Sequence, residues 1–141
     1  MQSLSHVEAL AGLGLEGDWR AQGRPGSARQ VSLISREFID SIATYMGVDG
    51  IDPALLRRNL LVSGINLNAL RHQYFQIGGA IFQATALCHP CGRMEQALGE
   101  GAVAAMLGYG GLCARVLRSG RIAVGDTLQP LAEEALPGLL S

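Results

Sequence analysis

YFQIGGAIFQATALC, residues 74–88, decides what kind of fold this chain makes. Tyr74, Phe75, Ile77, Ile81, Phe82 and Thr85 are aromatic or β-branched, and no charged residue interrupts the run. Side chains of this kind suit a pleated, partly buried surface, so the segment reads as strand. Three other segments share its character: RQVSLIS (29–35), NLLVSGI (59–65) and LCARVLRSGRIAVGDTLQPL (112–131), each bounded by Gly, Ser, Asn or Pro. In the last of them Ser119-Gly120 and Gly125-Asp126 are turn signals, which predicts a hairpin followed by a further short strand.

Helical signals are fewer. REFIDSIATYMG (36–47) places Phe38, Ile39, Ile42, Tyr45 and Met46 on one helical face and stops at Gly47, a residue suited to the left-handed C-cap. Asp52 and Pro53 open a shorter helix to about Arg57, as N-cap and first helical residue. Residues 93–107 read as one or two helical pieces broken near Gly99 and Gly101. Strands outnumber helices and no regular β–α–β alternation appears. The expected class is therefore mainly β (α+β), a β-barrel or closed β-rich domain decorated by a few short helices, with a ligand pocket at its mouth. We expect one domain over residues 1–141, with a loose C-terminal tail at 132–141.

Composition narrows the function. Of 141 residues 48% are hydrophobic and 16% charged, yet the uncharged apolar runs fall short of the roughly 20 residues a membrane span needs. MQSLSHVEALAGLGLEGD, at the start, has no basic stretch leading into an apolar one, so no signal peptide is expected and the expected compartment is the cytoplasm, where thiols stay reduced. A net charge of -1 without a basic run argues against a nucleic-acid partner. All 11 basic residues are Arg. Without lysine the chain cannot form a Schiff base with pyridoxal phosphate, while arginine's planar fork suits phosphate and other oxyanions.

CHPC, residues 88–91, carries the candidate chemistry. Cys91 follows the strand ending near Leu87 and precedes the helix predicted from Arg93, so its thiolate would sit where helix N–H groups and the Arg93 charge favour it. Cys88 could resolve a persulfide or sulfenic acid on Cys91, and His89 could lend it a hydrogen bond. Zinc is not expected, because one C-x-x-C supplies two of four ligands and no second pair follows. A thioredoxin-type redox couple fits the spacing but lacks its β–α–β setting. Two cysteines that only fill space at a strand end are a serious alternative, and Cys113, inside an apolar strand, reads as core.

The wider pattern resembles the MOSC domain family, named after the C-terminal domain of molybdenum cofactor sulfurases and found also as small stand-alone bacterial proteins. The resemblance rests on GLEGD (14–18), RQVSLIS followed by Glu37, RRNLLVSGINL (57–67), FQIGGAIFQATALCHPCGRME (75–95) and GLCARVLRSGRIAVGDTLQPL (111–131), in that order over most of the chain. It implies a β-barrel-based fold and a molybdenum–molybdopterin cofactor. It makes Cys91 a sulfur carrier or a thiolate ligand to molybdenum, and puts Arg58 and Asn59 at the pocket; Arg93 and His89, next to Cys91 in sequence, join them as candidate cofactor-binding residues. The function implied is cofactor binding or sulfur carriage. The alternatives are a molybdenum-dependent reductase of N-hydroxylated compounds and a thiol redox protein using Cys88 and Cys91 without cofactor. A sulfurase of this family mobilises sulfur on a separate pyridoxal phosphate domain, so this lysine-free chain would need a sulfur donor, or the cofactor itself, as its partner.

Overall fold

The computed structural model describes residues 6–16, 29–88 and 92–140. Along the chain the strands are β1 (His6–Leu10), β2 (Gly14–Leu15), β3 (Val31–Ser35), β4 (Leu60–Val62), β5 (Tyr74–Ile77), β6 (Ala80–Leu87), β7 (Leu112–Arg118), β8 (Gly120–Ala123) and β9 (Leu128–Leu131). The helices are α1 (Arg36–Met46), α2 (Gly92–Leu98), α3 (Ala102–Met106) and α4 (Leu136–Leu140), with 3-10 turns at Pro53–Leu56, Leu67–Leu70 and Glu133–Ala135. The mainly β, α+β expectation holds. Among the described residues no helix is long and apolar enough to cross a membrane.

The chain divides into two compact units, the first comprising Ser32–Ala69 and Leu87–Leu112, the second Gln2–Val31, Leu70–Ala86 and Cys113–Ser141. In the first unit β3 and β4 run parallel, with Leu33 opposite Leu60, Ile34 opposite Leu61 and Ser35 opposite Val62. Every residue of β3 is buried, as expected of a strand with a parallel neighbour and both faces covered. Ser35 then caps α1, its Oγ accepting from Phe38 N at 3.0 Å, and Gly47 closes the helix at φ 70° with its N–H on the carbonyls of Ala43 and Thr44. Phe38, Ile39, Ile42 and Ala43 form the buried face of the helix. Tyr45, expected on that face, is instead 62% exposed. Its ring leans on Tyr109, centroids 5.6 Å apart, where its hydroxyl can stay wet.

Asp52 and Pro53 act as predicted, the Asp52 carboxylate accepting from Ala54 N at 3.0 Å, but the turn they open is 3-10 and ends when Arg57 enters the left-handed region at φ 57°. The predicted break near Gly99 and Gly101 separates α2 from α3. Glu95 bridges it, accepting from Gly101 N at 3.1 Å and Val103 N at 2.7 Å.

The second unit contains the decisive stretch, folded as a hairpin. β5 and β6 pair antiparallel across the turn at Gly78 and Gly79, which puts Phe75 opposite Phe82 with rings stacked 5.1 Å apart. On its other side β5 pairs with β9. The hairpin predicted at Ser119-Gly120 does not form. β8 pairs with β1, from His6 opposite Ala123 to Ala9 opposite Gly120, and β1 also pairs with β2. Ser119 Oγ accepts from Ala11 N at 2.8 Å, and Gly120 lies so close to Gly79 that a Cβ would collide with that backbone. The two turn residues therefore hand the chain to a different sheet. Gly125-Asp126 does turn, Asp126 Oδ2 accepting from Ala123 N at 2.8 Å.

Gln30, 1% exposed, ties this unit together. Its amide donates to Gly12 O and accepts from Val116 N, both at 2.9 Å, so a buried polar group is satisfied on both sides. Residues 133–140 form the last 3-10 turn and α4, with Leu136 buried and Leu139 O accepting from Arg118 Nη1 at 2.9 Å.

Candidate functional site

The described residues among those predicted, Arg58, Asn59, Cys88 and Arg93, fall in the first unit, and two of them converge on one short backbone stretch. Cys88, directly after β6, is half-buried and donates its N–H to Gly111 O at 2.8 Å. Arg58 reaches the adjacent carbonyl, Nε donating to Gly110 O at 2.9 Å while Nη1 donates to Leu56 O at 3.1 Å. Glycine is required at 111: φ is +103°, and a Cβ would run into Leu33 O. Residues remote in sequence are thus anchored on one loop beside β3.

Arg58 is half-buried, and its partners are carbonyls rather than the Asp49 or Asp52 carboxylates that a surface ion pair would use. Neutral carbonyls orient a guanidinium without cancelling its charge. Among the described residues nothing accepts from Nη2, so a fixed cation with one donor edge remains.

Asn59 has a different surrounding. Its Oδ1 accepts from Ser32 N at 2.9 Å and from Ser32 Oγ at 3.1 Å, and its own N–H donates to Ser32 O at 3.0 Å. The acceptor side of the amide is occupied in joining the entry of β4 to β3. Arg93 is exposed in the first turn of α2, which starts at Gly92, directly after the C-x-x-C pair. Cys91 and His89 lie outside the described residues, as does the Gly17-Asp18 pair that ends GLEGD. Cys113 is buried at 6% exposure, in keeping with its reading as core. Among the described residues no three His, Cys, Asp or Glu side chains gather in a way that could hold a metal ion.

The same unit holds a groove of about 600 Å³ that sequence reasoning missed. Glu37, Phe38 and Ser41 of α1 form one wall, Gly64, Ile65, Asn66 and Asn68 a second, and Leu107, Gly108 and Tyr109 a third. Both Glu37 carboxylate oxygens accept from Gly64 N, at 3.2 and 3.1 Å. Asn66 Oδ1 accepts from Asn68 N at 3.1 Å, and Asn68 Nδ2 donates to Gly108 O at 2.9 Å. Tyr109 stands edge-on to Phe38 with centroids 5.4 Å apart, and its hydroxyl lies 3.4 Å from that of Tyr45. That hydroxyl contact, then the Tyr45 charge and burial, push the Tyr109 phenol above its ordinary pKa. The signal available in the sequence is the polar run SGINLN (63–68), whose first three residues read as strand although β4 ends at Val62.

Comparisons with known proteins bear on the fold and the family. YuaD from Bacillus subtilis superposes with a TM-score of 0.76 at 24% identity, covering 92% of this chain and 86% of its own. YiiM from Escherichia coli gives 0.74 at 20% identity, covering 94% of this chain. YiiM from Geobacillus stearothermophilus gives 0.68 at 18%, covering 76%. The chain spans 65% of the first of these YiiM chains and 56% of the second. No curated protein matches the chain. Likeness at these identities carries the fold alone, and the family rests on the MOSC domain model, which matches residues 20–129. With that match over most of its length, the chain belongs to the MOSC domain family.

Proposed function

We propose that this chain handles sulfur or molybdenum through the Cys91 thiolate, in connection with a molybdopterin-type cofactor. The observation that carries the reading is the convergence of Arg58 and Cys88 on Gly110 and Gly111, in a chain of the MOSC family. It supports a site at the β6–α2 junction with a fixed guanidinium anchored on the same loop.

The described residues fit such a group in part. Arg58, with its charge uncancelled by its carbonyl partners and Nη2 turned to no described acceptor, suits the pterin phosphate. Arg93, two positions beyond the thiol in sequence, adds an exposed cation. Asn59 fits less well as a reader of pterin edges, because its Oδ1 is held by Ser32, a bond that fixes the segment leading into β4 next to Arg58. Cys91 would supply the soft ligand that molybdenum prefers. Molybdenum, when bound, supplies two-electron redox chemistry at that ligand.

As a carrier, the Cys91 thiolate attacks the terminal sulfur of a donor's persulfide. The S–S bond breaks, the donor leaves as its thiolate, and Cys91 holds the sulfur as a persulfide for an acceptor. The donor lies outside these 141 residues, which contain no lysine for pyridoxal phosphate.

The test is expression in a host that makes molybdenum cofactor, with metal, pterin and intact mass measured on the parent, Cys91→Ser and Cys88→Ser. Co-purifying molybdenum and pterin, or the added mass of one sulfur atom, is expected in the parent and in Cys88→Ser and absent from Cys91→Ser. Parent protein carrying neither, together with a Cys88–Cys91 disulfide that equilibrates with a thioredoxin couple, would replace this reading with thiol redox chemistry. If cofactor is retained, turnover of an N-hydroxylated substrate separates reductase from carrier.

A further inference from the structure

The groove on α1 shares none of its lining with the residues of the preceding proposal, and its chemistry points to a different ligand. Glu37 is the only ionised side chain among the described groove residues, and no basic residue faces it there. Its two oxygens are both turned to Gly64 N, which fixes the carboxylate in place and leaves each oxygen able to accept again. Asn68 has its amide nitrogen committed to Gly108 O, so Oδ1 presents as a further acceptor. Ser41, also in the lining, carries a hydroxyl that can accept or donate. The ring of Tyr109 lines the same groove, braced by Phe38 and Tyr45 at 5.4 and 5.6 Å. Leu107, 65% exposed, supplies an apolar rim.

A fixed carboxylate and an aromatic ring lining one groove are the chemistry that recognises a cation: the charge is attracted by both the carboxylate and the ring face, while an anion meets repulsion from Glu37. The Glu37 carboxylate and Asn68 Oδ1 together suit a ligand with several N–H groups. A volume of about 600 Å³ lies in the range of small-molecule pockets, about 300–1,000 Å³. We propose that this groove binds a small planar organic cation, an amidinium or guanidinium carried on a ring or short apolar stem, with its N–H groups on Glu37 and Asn68 and its flat face against Tyr109.

Benzamidinium is a suitable probe, with benzoate as the anion of the same shape and benzamide as the neutral one. Titrated into isotopically labelled protein, benzamidinium is expected to move the backbone amide signals of Gly64, Asn68, Gly108 and Tyr109 in a saturable way, benzamide less and benzoate not at all. Glu37→Gln keeps an acceptor for Gly64 N and removes the charge, and is expected to weaken benzamidinium binding about tenfold or more. Tyr109→Leu tests the ring face in the same direction. Cys91→Ser is expected to bind the probe as the parent does, so failure of the sulfur or molybdenum reading leaves this result intact. Equal binding of benzoate, unchanged affinity in Glu37→Gln, or shifts confined to other parts of the chain would overturn the proposal.

Discussion

Asn59 performs a structural task that its sequence context does not reveal. The sequence marks it as part of an Arg-Arg-Asn run beside a strand, and a pocket amide or a plain turn residue are both sensible readings at that level. In the fold its Oδ1 holds the N–H and hydroxyl of Ser32, which is 5% exposed. Replacing Asn59 by Leu strands two donors at the β3–β4 junction, and we expect a loss of about 1–3 kcal/mol in urea unfolding. Asn59→Asp keeps the acceptor and is expected to recover most of that loss. Arg58 and Cys88 could not be joined by any reading of sequence, because their link is two backbone carbonyls in a loop far from both. Cys91 lies outside the described residues, between β6 and α2 in sequence, and its role belongs to the proposal above.

At the scale of elements, sequence signals are legible wherever the physics is local. The α1 helix begins at Arg36 and ends at Met46 because Ser35 caps one end and Gly47 accepts φ 70° at the other. Ser35→Ala removes the bond to Phe38 N from a fully buried position, and is expected to cost about 1 kcal/mol, read as a lower urea midpoint with unchanged slope. Ser35→Thr keeps the cap oxygen but adds a methyl to a buried site, so the alanine variant is the cleaner probe. The buried face of the helix departs from the apolar periodicity in its C-terminal turn: Tyr45 satisfies the pattern, but its ring finds Tyr109 at the surface and Ala43 takes the buried position. The missing hairpin has the same origin. Ser119-Gly120 is a turn by composition, yet where the chain goes after it depends on β1 being present to receive β8.

For the molecule as a whole, composition alone lets residues 132–141 hang loose, and Arg118 bears on that expectation. Its guanidinium donates to Gly79 O through Nε and Nη2, at 3.2 and 3.1 Å, and to Leu139 O through Nη1 at 2.9 Å, so one side chain joins the β5–β6 turn to α4. Arg118→Met keeps the stem and removes all three bonds. Cleavage by a glutamate-specific protease at Glu133 and Glu134 is expected to speed up about tenfold or more while the rest of the second unit stays resistant, since local opening here is controlled by that latch. Unchanged cleavage would mean that Leu136, 8% exposed, fastens the segment alone. The amino-acid sequence by itself determined the β-rich class, the helix caps at Gly47 and Asp52 and the absence of lysine chemistry from these residues, because each depends on residues a few positions apart or on composition. Only the tertiary structure decided which strands are neighbours, where Arg58 and Asn59 are tied, and that Glu37, Asn68 and Tyr109 share a groove. Those outcomes rest on hydrogen bonds and ring contacts between distant segments, whose partners are fixed by topology and not by local preference.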